Sequence, residues 1–312
     1  MAFLYALPGA VAEGLIWGLM AIGVYVSYKI LDIADLTVDG SICTGACVCA
    51  VLLGLGVPAW LSVVIAFFAG ALTGVVTGLL HTMLGIPSIL AGILTQLMLY
   101  SVNLFILGGK SLIAVDPRAN ELLMHMSNNP GSILSAGIIV AAVIVALWLF
   151  FSTEVGLTLK STGDNPDMSR AQGVDVDFNK VLGLAIANGI VALAGALLAQ
   201  YKGSANINDG KGAIVIGLAA IFIGLSVSQK IKPNLVVSLI GVIGGGIVYY
   251  IVYNFVILLG LKTDYLKMLS AIIVAAFLAV PYLKTKYFTK QKPLRRSAVV
   301  SEAEQTGGQA NA

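Results

Sequence analysis

Charge is what this chain has least of: 11% of its 312 residues are Asp, Glu, Lys or Arg, where an ordinary soluble domain carries about 25%. Together with 58% hydrophobic residues and a mean hydropathy of +0.96, that scarcity excludes a soluble globule. More than half of a folded protein's surface is apolar already, and the excess here would aggregate. The solvent this chain needs is a lipid bilayer. Cysteine and histidine are also few. Cys43, Cys47 and Cys49 fall within one apolar run, so they read as small residues packing between helices and say little about redox compartment. Neither His81 nor His125 lies near them in sequence to complete a zinc site. No Ser/His/Asp grouping, His/Glu metal spacing or defensible pair of carboxylates points to an enzyme. Met1 to Pro8 lacks a basic n-region, so the first apolar run is expected to remain in the mature protein. Gly108-Gly109-Lys110-Ser111 lacks the first glycine of a phosphate-binding loop, since position 104 is Leu, and it follows an apolar run rather than a strand. Any nucleotide would therefore be bound by another polypeptide.

What is present is hydrocarbon in spanning lengths. A membrane helix needs about 20 mainly apolar residues, and such runs fall near 11–30, 37–56, 58–82, 86–107, 132–151, 180–201, 211–229, 234–259 and 265–283. The expected fold is an all-α polytopic bundle of about nine spans, within a range of eight to ten. Ile33-Ala-Asp-Leu-Thr-Val-Asp-Gly-Ser41 marks the second run as a broken or half-length helix, because irregular backbone at membrane depth is tolerated only where protein or a water cavity covers it. Lys284, Lys286, Lys290, Lys292, Arg295 and Arg296 put the C-terminus on the cytoplasmic side. Counting back through nine spans puts Lys29, the 152–179 loop and the Gln229–Pro233 turn on that side too, and the N-terminus and the 108–131 loop outside. Residues 1–285 form one transmembrane domain, and 286–312 read as a tail, basic at first and then polar and aperiodic.

Within the spans, Gly70, Gly74 and Gly78 repeat at the four-residue spacing that lets helix backbones approach closely, as do Gly14 with Gly18 and Gly241 with Gly245. Intramembrane polar groups mark candidate pathway positions. Thr37 and Asp39 in the broken run and Gln96 in the fourth are the choices, with helix-to-helix hydrogen bonding or capping as the plainer role for any one of them. Asp32 and Asp35 have the plainer reading of caps at the cytoplasmic surface. On the outer face, Lys110, Arg118, Lys202 and Lys211 are candidates for steering an acidic docking partner.

One long polar stretch, Glu154 to Asp177, interrupts the hydrocarbon. Its centre has the punctuation of a short helix of roughly two turns. Asp164 or Asn165 serves as N-cap, Pro166 fits the first helical position, Asp167 suits the dipole, and Gly173 makes the left-handed stop. So short a helix is marginal alone in water, which implies a packing partner.

Here the chain resembles a known family. Gly156-Leu157, Lys160-Ser161-x-Gly163-x-Asn165-Pro166, Ala171-x-Gly173-Val174 and the small-residue span Ala192–Ala199 are similar to the coupling-loop region of permeases in the ribose and branched-chain amino acid importer family. Leu31–Gly40 and Gly92–Tyr100 resemble the branch whose permeases pair with lipoprotein binding proteins of the tryptophan and tyrosine type. The resemblance covers most of residues 11–285. It implies an ATP-binding-cassette importer of the plasma membrane. In such importers two permease subunits, here expected to be identical, form the pathway; two cytoplasmic ATPases bind ATP and Mg; and an external binding protein delivers the solute. No cofactor is implied for this chain itself. The resemblance further implies that Asp164, Asn165, Pro166, Asp167, Met168, Ser169, Arg170, Ala171, Gln172 and Gly173 meet the ATPase, whose closure rocks the spans. The implied cargo is a small solute, an amino acid and among those an aromatic one. A different class, an ion-coupled secondary transporter using the intramembrane Asp residues, is the competing reading, and a scaffolding membrane protein a third.

Overall fold

The computed structural model of the protein describes residues 2–115, 122–126, 129–228 and 234–258, with the isolated positions 268, 271, 272, 274, 275 and 279. The chain divides into two units. Met1–Phe277 carries every element named below, and of Leu278–Ala312 only Ala279 is described.

The apolar runs fold as helices because, without water, a helix alone satisfies its own backbone. In chain order these are α1 (Ala2–Tyr25), extended by a π-helical turn (Val26–Ile30), α2 (Val38–Gly54), α3 (Ala59–Thr82) and α4 (Ser88–Ile106). A short strand β1 (Leu112–Ala114) precedes α5 (Asn129–Phe151), α6 (Glu154–Asp164), α7 (Pro166–Ala171) and α8 (Val176–Lys202). Strand β2 (Ser204–Asn206), α9 (Ala213–Ser228) and α10 (Leu235–Leu258) follow, and β1 pairs antiparallel with β2, Ile113 opposite Ala205. Among the described residues six helices are long and apolar enough to cross a membrane: Leu7–Ile30, Ala59–Thr82, Ser88–Ile106, Pro130–Phe151, Val176–Lys202 and Leu235–Ile257. Two more, Val38–Gly54 and Ala213–Ser228, are apolar but shorter. Eight of the nine expected runs are thus helical, and the ninth, 265–283, lies outside the described residues save a few positions. So do the Gln229–Pro233 turn, Arg118 and the basic tail.

The seams are built on glycine. In lipid no hydrophobic force drives helix to helix, and close backbone contact supplies the attraction. Along α3, Gly70 faces Ala192 and the Asn188 carbonyl, Gly74 the Leu184 carbonyl, and Gly78 Val181, so α3 runs antiparallel to α8 with all three glycines inside the chain's own packing. Gly45 of α2 meets Ala192 from another side, and Gly195 of α8 meets the Ile42 carbonyl. Helix α8 is therefore the buried centre. Gly14 and Gly18 of α1 meet Ile247 and Ile243 of α10 in the same antiparallel manner.

These contacts define an inverted repeat that periodicity did not reveal. Helix α1 is antiparallel to α8, since Gly23 meets Ala187 and Val191 while Leu31 meets Gly183. Each is followed by an irregular stretch, a short apolar helix (α2 or α9) and a long glycine-bearing helix (α3 or α10). The partners exchange: α3 packs on α8 and α10 packs on α1. The sequence carries the trace. Asp39-Gly40 opens α2 and Asp209-Gly210 precedes α9; Gly70 and Gly74 lie 30 and 34 residues beyond Gly40, and Gly241 and Gly245 lie 31 and 35 beyond Gly210.

Gly74→Leu is expected to lower stability by about 1–3 kcal/mol or more, the usual cost of overpacking a filled seam, because its new side chain falls on the Leu184 carbonyl. Gly54→Leu, with open space around the added carbon, should leave the thermal midpoint of the detergent-solubilised protein nearly unchanged.

Candidate functional site

Helix α7 projects from one end of the bundle, and its punctuation is local. Asn165, not Asp164, is the N-cap: its Oδ1 accepts from the Met168 amide at 3.0 Å. Pro166 occupies the first turn, and Gly173, at φ 84°, ends the segment while the Val174 amide donates back to the Ser169 carbonyl. Asp164 closes the preceding helix instead. Asn165, Pro166, Asp167, Met168, Arg170, Ala171, Gln172 and Gly173 are exposed, whereas Ser169 turns inward and its hydroxyl donates to Ser161 at 3.2 Å. Arg170 lies between Asp167 (4.0 Å) and Asp177 (3.9 Å), an exposed arrangement that holds direction more than it adds stability.

The mount for α7 is α6, an eleven-residue helix that the sequence reading left inside a polar connector. Thr153 caps it by accepting from the Gly156 amide at 3.3 Å. Gly156 sits on the Phe150 carbonyl and Gly163 on the Ile30 carbonyl, approaches that any side chain would block. Leu159 is fully buried, and Asn179 at the start of α8 donates to Thr162 at 3.1 Å. The two short helices thus form a rigid bracket joined to the ends of α1, α5 and α8.

From that bracket the chain enters the bundle. Residues 31–37 are not helical, yet Asp35 is 2% exposed and reaches Asn188, twelve residues or roughly 18 Å along α8. Asp35 was expected as a cap at the cytoplasmic surface. It is buried instead and caps no helix: it closes a turn just before α2 by accepting from the Thr37 amide at 2.8 Å, and its other oxygen accepts from Asn188 Nδ2 at 2.6 Å. Ser41 donates to Asn188 Oδ1 at 2.6 Å and shares a hydrogen bond with Thr73, as Thr37 does with Thr77 at 2.7 Å. Every member is buried. The pathway candidate Thr37 therefore sits inside the α2–α3 seam, joined to a cluster whose Ser41, Thr73 and Thr77 the sequence reading passed over.

Asp39, the second candidate, has a different task. Its carboxylate accepts from the Gly212 amide at 2.8 Å and the Ile214 amide at 2.9 Å, so a side chain of α2 caps α9. Cys43 Sγ accepts from the Gly210 amide at 3.1 Å and its S–H donates to the Ile207 carbonyl. The third candidate, Gln96, is half-buried on α4, its backbone beside Gly40. Around Asp39 the starts of the two short helices meet, each with its positive dipole end turned into the bundle.

At the end opposite α7, Lys110 is exposed beyond the turn at Gly108 and Gly109; Lys202 pairs with Asp209 at 3.7 Å, and Lys211 lies 6.0 Å over the Tyr100 ring. Lys202 and Lys211 border a cavity of about 380 Å³ beside Trp17, Tyr250 and Tyr253.

A bundle of long apolar helices, with two shorter apolar helices whose starts meet inside it and a bracketed helix at one end, is the frame of a multi-pass transport permease. Comparison with known proteins agrees: the family model described as the permease component of the branched-chain amino acid transport system matches residues 9–278, and the chain belongs to that family. It is thus a multi-pass protein of the plasma membrane and a transport component, not an enzyme. A tyrosine transport system permease protein of Clostridioides difficile is 37% identical over 86% of this chain and 88% of its own length. An uncharacterised protein of Rickettsia prowazekii is 30% identical over 85% and 93%, and an autoinducer 2 import system permease of Salmonella paratyphi B is 27% identical over 60% and 55%. No solved structure matches the chain.

Asn188→Ala removes the partner of one Asp35 oxygen, at about 1–3 kcal/mol for that unsatisfied group, while Ser41 keeps Thr73 and the Thr37 carbonyl. The thermal midpoint should fall well below that of Asn254→Ala, which removes one bond to the Tyr250 carbonyl.

Proposed function

We propose that this chain forms the translocation pathway of an ATP-binding-cassette importer for a small solute, an amino acid and among those an aromatic one. An external binding protein delivers the solute, a second and identical permease completes the pathway, and separate cytoplasmic ATPases supply ATP, Mg and the driving force, with no cofactor on this chain. The observation that carries the reading is the bracketed α7: exposed on the faces of Asn165–Met168 and Arg170–Gly173, yet fixed through Ser169, Thr162 and Gly163 to α1 and α8. A push on it would reach the 31–37 stretch through Gly163, which rests on the Ile30 carbonyl and Leu31. The tyrosine permease relative supports the aromatic cargo.

In this reading α7 and its flanks, Asp164 to Gly173, lie on the cytoplasmic side in a groove of the ATPase. The membrane domain, residues 1–285, has nine crossings, the second broken at 31–37 and the last at 265–283, and residues 286–312 form a cytoplasmic tail. Lys110, Arg118, Lys202 and Lys211 face the binding protein, where their charge steers docking, and Asp39 and Gln96 border the pathway, with Thr37 bracing it from behind.

The test is reconstitution into proteoliposomes with a cassette ATPase and the binding lipoprotein. Asn165→Ala removes the cap, weakening the helix by about 1 kcal/mol, and Gly173→Val strains the left-handed stop. Together they should depress solute-stimulated ATP hydrolysis and uptake roughly tenfold or more, since 1.4 kcal/mol is a factor of ten, while the size-exclusion profile stays unchanged. Uptake by the permease alone on a proton or sodium gradient, abolished by Asp39→Asn, would establish the ion-coupled alternative instead.

A further inference from the structure

A cavity of about 680 Å³ lies beside the bracket, between the π-helical turn, the end of α5, α6 and the start of α10. Lys29 and Lys160 stand on its rim with Trp148, Ser238 and Asp164. Both lysines are exposed, and neither has an ion-pair partner among the described residues. A second hollow continues along the same two helices. Between α5 and α10 runs an almost wholly apolar groove of about 470 Å³, walled by Val140, Val145, Ile240 and Ile247. It begins one turn from Trp148, at Val145, and two residues from Ser238, at Ile240. It exists because Gly137 on one wall and Gly244 on the other lack side chains; carbon added at either meets no atom within 4 Å.

We infer that this composite site holds one anionic phospholipid of the leaflet at the α7 end, phosphate between Lys29 and Lys160 and an acyl chain in the α5–α10 groove. Length selects the occupant. From Trp148 to Gly137 is eleven residues, roughly 16 Å of helix, which matches half of a hydrocarbon core about 30 Å thick. A partner helix would need a groove through the whole membrane; a lipid tail needs one leaflet. Charge selects the headgroup. Two lysines against one carboxylate leave the rim one positive charge in excess, the pattern of basic interhelical pockets that hold anionic headgroups, and Trp148 sits where an interfacial aromatic belongs. Phosphatidylglycerol, whose phosphodiester carries one negative charge, matches that excess. Because Lys160 belongs to α6 and Lys29 to the end of α1, the headgroup ties the carrier of α7 to the bundle.

The test uses the full chain in nanodiscs of equal phosphatidylglycerol and phosphatidylcholine, with retained lipid counted by native mass spectrometry after detergent extraction. Wild type should retain one phosphatidylglycerol per chain, enriched roughly tenfold over phosphatidylcholine by its two lysines. Lys29→Gln/Lys160→Gln should bring the two lipids to parity. Gly137→Leu/Gly244→Leu, whose side chains enter open space, should lose both lipids at an unchanged thermal midpoint. Equal retention of the two lipids by wild type overturns the proposal. So does full retention in the leucine variant, or efficient disulfide cross-linking of two copies through Ala141→Cys, which would put protein in the groove.

Discussion

An unwound stretch of backbone inside a membrane has to find its hydrogen bonds within the protein, and in this chain one amide side chain makes that possible. Asn188 gives to Asp35 and takes from Ser41, so it joins the irregular 31–37 stretch, the start of α2 and the centre of α8 at a single point. Without it, one oxygen of a buried carboxylate would be left unpaired, and the start of α2 would lose its tie to the centre of α8. One glycine seam passes the same point, since Gly70 rests on the backbone carbonyl of that residue.

Two polar devices on the α2 side thus divide the work. Asp35 and its partners are sealed and static, holding α2 to α3 and α8. Asp39 is only half-buried and holds α9 through two backbone amides. Both contacts join the first half of the chain to the second, one to the middle of α8 and the other to the start of α9.

How much of this was legible follows from the range of each signal. The described helical runs, the cap at Asn165, the stop at Gly173 and the three glycines of α3 could all be read, because hydrophobicity, capping and small-residue spacing act within a few residues. Helix α6 was missed: its exposed residues mix Glu154, Lys160 and Asp164 with Val155 and Leu157 and show no apolar stripe, and its fit rests on Gly156 and Gly163 touching carbonyls outside the helix. The depth of Asp35 was missed because its partner lies 153 positions away. Among acids near span ends, nothing local separates a surface cap from a buried carboxylate. The repeat was written in the sequence, in Asp39-Gly40 and Asp209-Gly210, but as two matched dipeptides far apart, which no single-window reading compares.

The exchange of partners between the halves has a consequence for motion. Where two similar units face opposite ways, any difference between their conformations defines a second structure in which each has taken the other's shape. The two structures are related by turning the molecule over, so an opening at one surface in the first becomes an opening at the other surface in the second. The bracket of α6 and α7 belongs to neither half of the repeat, so a force applied there would act on the two halves unequally.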